Sequence, residues 1–408
     1  MKSESATKTK QIDAKTIPEA NIGLVGHVAH GKTTLTQALT GKLTLTHSEE
    51  LKRGITIRLG YADATIYKKS DGTYANSPDG GAEAVRTVSF VDAPGHETLM
   101  ATVLSGASLM DGAILMVSAV EKCPQPQTRE HLAALEVVGI KNVIVVQNKI
   151  DLVTPERAME SHREIKSFLK GSLLENAPII PVSAQHRINI DAVFAALEQF
   201  VPTPARDSSK EPKMLVARSF DINRPGTDIP KLSGGVLGGA IVQGELSVGD
   251  EVEVRPGVKI GNRYVSLTTK ITGLKKAGTD LPKAGPGGLM GLMTSLDPYI
   301  TKSDSLVGNV IGLPGKLPEV RDNLILKVSM LKRVVGSEDF SDTKPIRPEE
   351  NLLLNVGTAR SVGEVTATKK ENVEMRLKIP IVANAGERVV ISRMVGGRWR
   401  LVGYGIIS

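Results

Sequence analysis

The first half of the chain sets short, almost wholly apolar runs against stretches with helical spacing. Residues 21–25, 87–91, 113–117, 143–147 and 179–182 read as strands. Between them lie a helix opening at Lys32, with Leu35 and Leu39 on one face, and helical stretches over 127–138, 155–169 and 190–200. Continuous apolar runs are strands buried on both faces, and their alternation with helices predicts a parallel sheet covered on both sides. The expectation is a doubly wound α/β domain with a mainly parallel sheet. Residues 67–86 break the pattern, because Asp71-Gly72 and Pro78-Asp79-Gly80-Gly81 are turn chemistry. They predict a surface insertion or a hairpin.

Val201-Pro202-Thr203-Pro204 and then Asp207-Ser208-Ser209-Lys210 end the helical register and read as a linker. Beyond it, 234–246 alternates small or polar residues with apolar ones. It runs into the turn Val248-Gly249-Asp250 and the strand 251–254. Short strands punctuated by glycine predict a β-barrel. Residues 313–318 form a second linker candidate. Strands then recur at 324–328, 352–356, 373–379, 389–391 and 400–407. The expected domains are 1–206, 207–318 and 319–408: one α/β unit followed by two β-barrels.

Composition narrows this picture. A chain of 408 residues exceeds one ordinary core. With 40% hydrophobic and 23% charged residues it fits a soluble globular protein. Its one cysteine, Cys123, excludes an intrachain disulfide and a cysteine-only zinc site, and fits a reducing compartment. The polar N-terminus lacks a signal core, and no run is long enough to span a bilayer. A cytoplasmic protein with no membrane partner is expected. The net charge of +7 lies wholly beyond residue 206, since residues 1–206 hold 22 basic and 22 acidic side chains. A shallow positive surface for a phosphate backbone is one reading; solvated barrel faces are the other.

The chemistry begins at 26–33, Gly-His-Val-Ala-His-Gly-Lys-Thr, which fits G-x-x-x-x-G-K-T between a strand and a helix. Backbone N–H groups there cradle phosphates, Gly31 allows close approach, Lys32 reaches the β- and γ-phosphates, and Thr33 ligates Mg²⁺. Val28, Ala29, His30, Gly31, Lys32, Thr33 and Thr34 are the expected nucleotide contacts. Asp92-Ala93-Pro94-Gly95-His96 follows the 87–91 strand. Asp92 can hold the Mg²⁺ shell through water, and the Gly95 N–H can bond a γ-phosphate. Asn148-Lys149-Ile150-Asp151 follows the next motif-bearing strand. A carboxylate at Asp151 accepts from N1–H and the exocyclic amine of guanine, a donor pair that adenine lacks. Ser183-Ala184-Gln185 follows 179–182, where the Ala184 N–H can meet guanine O6. Four motifs at the carboxyl ends of successive strands obey the ligand-placement rule of such sheets.

On these residues, and on Pro126-Gln127-Thr128-Arg129-Glu130-His131, the chain resembles translational GTPases of the elongation factor Tu type. Residues 48–61, 100–107, 218–227 and 396–399 narrow the resemblance to the gamma-subunit family of archaeal and eukaryotic translation initiation factor 2. The resemblance implies that 47–61 is switch I, with Thr56 as the second hydroxyl on Mg²⁺ and Gly54 as a weak backbone ligand. It implies that His96 orients the attacking water, beside an apolar gate of Val28 and Ile55. His27 and His30 are loop-structural in this family, and Cys123 reads as a loop bystander. Ala29 stands where many relatives carry an Asp that helps hold a second metal ion. Many archaeal relatives carry a four-cysteine zinc knuckle in the insertion; 67–86 has no cysteine, so no zinc is expected. The implied activity is GTP hydrolysis to GDP with Mg²⁺. The implied partners are methionylated initiator tRNA, the alpha and beta subunits of a heterotrimer, and the small ribosomal subunit. An elongation-type GTPase carrying another aminoacyl-tRNA, for example a selenocysteine-specific one, is the alternative.

Overall fold

The computed structural model describes residues 13–44, 56, 59–96, 99–331 and 343–408. Gly54, Ile55 and most of the expected switch I therefore lie outside the described residues.

The five apolar runs become five parallel strands. These are β1 (Pro18–Gly26), β4 (Glu83–Asp92), β5 (Gly112–Ser118), β6 (Val143–Asn148) and β7 (Ile179–Pro181), ordered β4-β1-β5-β6-β7. Side chains alternate across a strand, so each strand feeds two cores. Ile114 and Met116 of β5 join Ile22, Leu24, Phe90 and Phe194 on one face. Ala113, Leu115 and Val117 join Val91, Leu104 and Leu135 on the other. Helices α1 (Lys32–Thr40) and α5 (Ile190–Phe200) cover the first face. Helices α2 (Met100–Ala107), α3 (Pro126–Val138) and α4 (Pro155–Leu169) cover the second.

In the α/β unit, β2 (Gly60–Lys68) and helix α2 were not anticipated. β2 runs antiparallel to β4, from Gly60 opposite Asp92 to Lys68 opposite Glu83, and with β3 (Tyr74–Ala75) forms a hairpin at the sheet edge. Its inward positions, Ala62, Ala64 and Ile66, are mostly small, which muted the alternation. Helix α2 is only eight residues long and has no side-chain cap at its start.

The first barrel contains β8 (Lys213–Phe220), β9 (Val236–Gln243), β11 (Glu251–Ile260), β12 (Arg263–Lys276), β13 (Thr279–Leu281), β15 (Met290–Thr294) and β16 (Val310–Gly312). The order β11-β16-β8-β9-β15-β12 closes through a β11–β12 pairing, with β13 on the outer edge of β12. β10 (Leu246–Ser247) and β14 (Lys283–Ala284) form a separate two-stranded ribbon. The glycines of β9 have a packing reason at Gly239, where a Cβ would stand 1.9 Å from the Leu215 carbonyl oxygen. The second barrel closes as β17-β20-β19-β18-β21-β22, from β17 (Val320–Met330), β18 (Asn351–Val356), β19 (Ala359–Lys369), β20 (Asn372–Val382), β21 (Arg388–Val395) and β22 (Arg398–Ile407).

Polar contacts seat the barrels on the α/β unit. Arg218 donates to the Leu59 carbonyl at 3.1 Å, and the Leu289 N–H to Ser89 Oγ at 2.9 Å. Asn355 Nδ2 donates to the Ala101 carbonyl and to Ser105 Oγ, both at 3.0 Å. Arg388 donates to the Val137 carbonyl at 2.7 Å, and Arg400 forms a buried ion pair with Glu130.

Candidate nucleotide-binding site

β1 ends at Gly26 and α1 begins at Lys32, so residues 27–31 form a loop against the carboxyl edge of the sheet. The loop needs left-handed backbone: Gly26, Ala29 and Gly31 have φ of 138°, 60° and 95°. Glycine adopts this region freely, whereas alanine at 29 is held there by its surroundings. A Cβ at Gly31 would stand 2.2 Å from Asn148 Nδ2, so only glycine lets these segments meet. Lys32 is buried, and its ammonium donates to the Gly26 and His27 carbonyls at 2.8 Å each. Burial pushes its pKa down to about 8, opposed by the Asp92 carboxylate.

Three oxygen-bearing side chains converge beside it. Thr33 Oγ1 donates to Asp92 Oδ2 at 2.8 Å and lies 3.0 Å from Thr56 Oγ1. Two hydroxyls and a carboxylate are the hard oxygen donors that Mg²⁺ prefers, and the residues present fit that ion. Thr44, missed in the sequence, also donates to Asp92 Oδ2, at 2.6 Å. It sits in the run Leu43-Thr44-Leu45-Thr46, which carries no motif, so nothing flagged it.

A cavity of about 330 Å³ opens here, lined by Val28, Ala29, Gly31, Lys32, Thr33, Thr34, Thr56, Gly95, His96 and Lys149. His96 is exposed at its mouth, while Gly95 is buried against the loop. Thr34 also lines a second cavity of about 280 Å³, with Ala184 and Gln185 on its wall. Asn148 joins the motifs: Nδ2 donates to the His30 carbonyl at 2.9 Å, and Oδ1 accepts from the Ala184 N–H at 3.0 Å. Lys149 enters its turn with φ 65°, and the Ile150 N–H bonds the Val182 carbonyl at 3.3 Å. Ser183 is buried and holds the turn through Oγ, which accepts from the His186 N–H at 3.3 Å. Asp151 lines neither cavity; its carboxylate faces His186 Nε2 at 3.6 Å.

His30 is fully buried. Nδ1 lies 3.0 Å from the Met116 carbonyl and Nε2 3.4 Å from Glu121. Burial pushes its pKa down to about 4, so it is neutral. Cys123 is also buried, and burial pushes its thiol up to about 12.

The family model described as elongation factor Tu GTP binding domain matches residues 18–203, and that described as initiation factor eIF2 gamma, C terminal, matches 322–407. Translation initiation factor 2 subunit gamma of Pyrococcus furiosus is 58% identical over 400 residues, covering 96% of this chain and 97% of its own. The chain belongs to the translation initiation factor 2 gamma family. The gamma subunit of Methanocaldococcus jannaschii is 57% identical over the same shares. As a gamma-family member the chain is a translational GTPase and binds guanine nucleotide. Among solved structures, the bacterial selenocysteine-specific elongation factor EF-Sec matches with a TM-score of 0.75 at 26% identity over 96% of this chain, which spans 58% of that factor. Elongation factor SelB of Methanococcus maripaludis, in complex with the GTP analogue GPPNHP, matches with a TM-score of 0.72 at 24% identity over 96% of this chain and 79% of its own, a likeness of fold. Among the described residues of this gamma-family chain, no helix is long and apolar enough to cross a membrane.

Proposed function

We propose that this gamma-family GTPase binds GTP with Mg²⁺ at the convergence of residues 28–34, Thr56, Asp92–His96, Asn148–Asp151 and Ser183–Gln185. In that state it carries methionylated initiator tRNA to the small ribosomal subunit in the cytoplasm, with alpha and beta partner subunits. Its three units are 1–206, 207–318 and 319–408. One observation carries the reading. The Thr33, Asp92 and Thr56 contacts bring the phosphate loop, the Asp-Ala-Pro-Gly-His turn and Thr56 of the expected switch I to one point. Such a point responds to a single phosphoryl group.

Thr33 and Thr56 would hold Mg²⁺ directly and Asp92 through water; the ion would neutralise charge between the β- and γ-phosphates. Lys32 holds the phosphates, the Gly95 N–H meets the γ-phosphate, and Asp151 selects guanine. His96, at the cavity mouth, orients the attacking water. Loss of the γ-phosphate releases Thr56 and Gly95 together, which loosens switch I and the tRNA site.

The test is retention of initiator against elongator Met-tRNA on a filter, with GTP and with GDP. Selective retention of the initiator with GTP is expected, and equal retention of both would overturn the cargo. The selenocysteine alternative rests on a fold match at 26% identity. It is outweighed by gamma-subunit relatives at 58% identity over 96% of the chain.

A further inference from the structure

The backbone of Gly26, where β1 turns into the phosphate loop, is held from both sides. Its carbonyl accepts from Lys32 at 2.8 Å, and its N–H donates to His131 Nδ1 at 2.6 Å. His131 lies on α3, 1% exposed, and the proposed chemistry gives it no part. Burial and the nearby Lys32 hold its imidazole well below its ordinary pKa, so Nδ1 keeps the lone pair that the bond needs. Its neighbour on the helix, Glu130, points the other way into the second barrel. There it pairs with Arg400 of β22; the two side chains are 4% and 10% exposed. About two turns on, Arg388 of β21 donates to the Val137 carbonyl at the end of the same helix, with its guanidinium 4.5 Å over the Tyr404 ring. Helix α3 is therefore clasped at two points by the barrel and touches the loop at a third.

We propose that His131 is a positioning residue for nucleotide binding, fixing the Gly26 end of the phosphate loop, and that the C-terminal barrel sets its position through Glu130–Arg400. The inference rests on reading 26–33 as the nucleotide site. A buried Gly26 N–H left without an acceptor would loosen the backbone at the Gly26 Cα, from which the carbonyl that accepts from Lys32 extends. Nucleotide release then depends on a barrel residue that never touches nucleotide.

The experiment is release of a fluorescent GDP from the full chain, with the melting temperature recorded for every variant. H131L removes the acceptor at similar volume and should speed release roughly tenfold. H131N places Oδ1 where Nδ1 stood and should return the rate to within about twofold of the unaltered chain. The double variant E130L/R400M removes both members of the ion pair together and should speed release several-fold. H131L releasing at the unaltered rate, or H131N releasing as fast as H131L, would overturn the positioning role. An unaltered rate in E130L/R400M would overturn the part given to the barrel. Should H131L not fold, H131N and the double variant carry the test. If the unaltered chain fails to hold GDP, or K32A holds it as well, the nucleotide reading itself fails.

Discussion

Gly95 is the position where a single methyl group should separate GTP from GDP. A Cβ there would stand 2.4 Å from Lys32 Nζ, 3.0 Å from the Val28 nitrogen and 3.1 Å from the Gly26 oxygen. The two backbone atoms can give little. The lysine tip must move, or the Asp-Ala-Pro-Gly-His turn must retreat. Moving Nζ loosens bonds to the Gly26 and His27 carbonyls, and a hydrogen bond from a charged group contributes about 1.5–3 kcal/mol. Retreat of the turn withdraws the Gly95 N–H from the γ-phosphate contact proposed for it, which GDP cannot make. G95A should therefore weaken GTP binding roughly 10- to 150-fold and GDP binding less than about tenfold. Titration of a non-hydrolysable GTP analogue and of GDP, each followed by calorimetry, measures both. An analogue affinity within threefold of the unaltered chain, or an equal loss for GDP, would refute the packing argument.

Lys32 should make binding pH-dependent. Its pKa in the free chain is about 8 and phosphates favour the ammonium, so affinity is full below pH 8 and falls by up to about tenfold per unit above it. Calorimetry at pH 8.5 in two buffers should show proton uptake on binding, and none would contradict the burial of a charged lysine. His30 should shape the acid limb of stability. Its folded pKa of about 4 lies below the unfolded value, so stability is complete above about pH 6.5. About 3 kcal/mol is lost as pH falls toward 4. Urea unfolding of the unaltered chain and of H30Q across that range should show a shallower limb in the variant; parallel limbs would dismiss the assignment. D151N should weaken GTP on the order of 100-fold and strengthen xanthosine triphosphate, because an amide donates where the carboxylate accepted. Unchanged preference in a competition assay would remove Asp151 from base selection.

The parallel strands were legible because burial on both faces leaves a run such as Ala113–Val117 no polar position to confuse the period. β2 was not, because Ala62 and Ala64 satisfy an inward position with too little side chain to register, and its partners on β4 lie beyond the intervening hairpin, from Lys68 opposite Glu83 to Gly60 opposite Asp92. β8 went unread although it carries the buried run Met214–Ala217, whereas β19 alternates weakly, with Ser361 and Gly363 at inward positions beside Val365. In the site, Lys32, Thr33, Asp92, Asn148 and Ala184 stood inside motifs, where local spacing alone carries the chemistry. Thr44 and His131 act through contacts 48 and 105 residues distant, which no local pattern encodes. His131 stood in a motif used only for resemblance. Its partner, a backbone N–H, has no sequence signature at all.

The Glu130–Arg400 pair spans 270 positions of the chain, from a helix of the GTPase unit to a strand of the last barrel. Each charge is stabilised in its buried setting by the other. The two positions therefore cannot drift independently: a substitution at one exposes the lineage to a stability deficit until the other follows. In a graft of the C-terminal barrel between distant relatives, residue 130 should travel with its barrel rather than with its own helix.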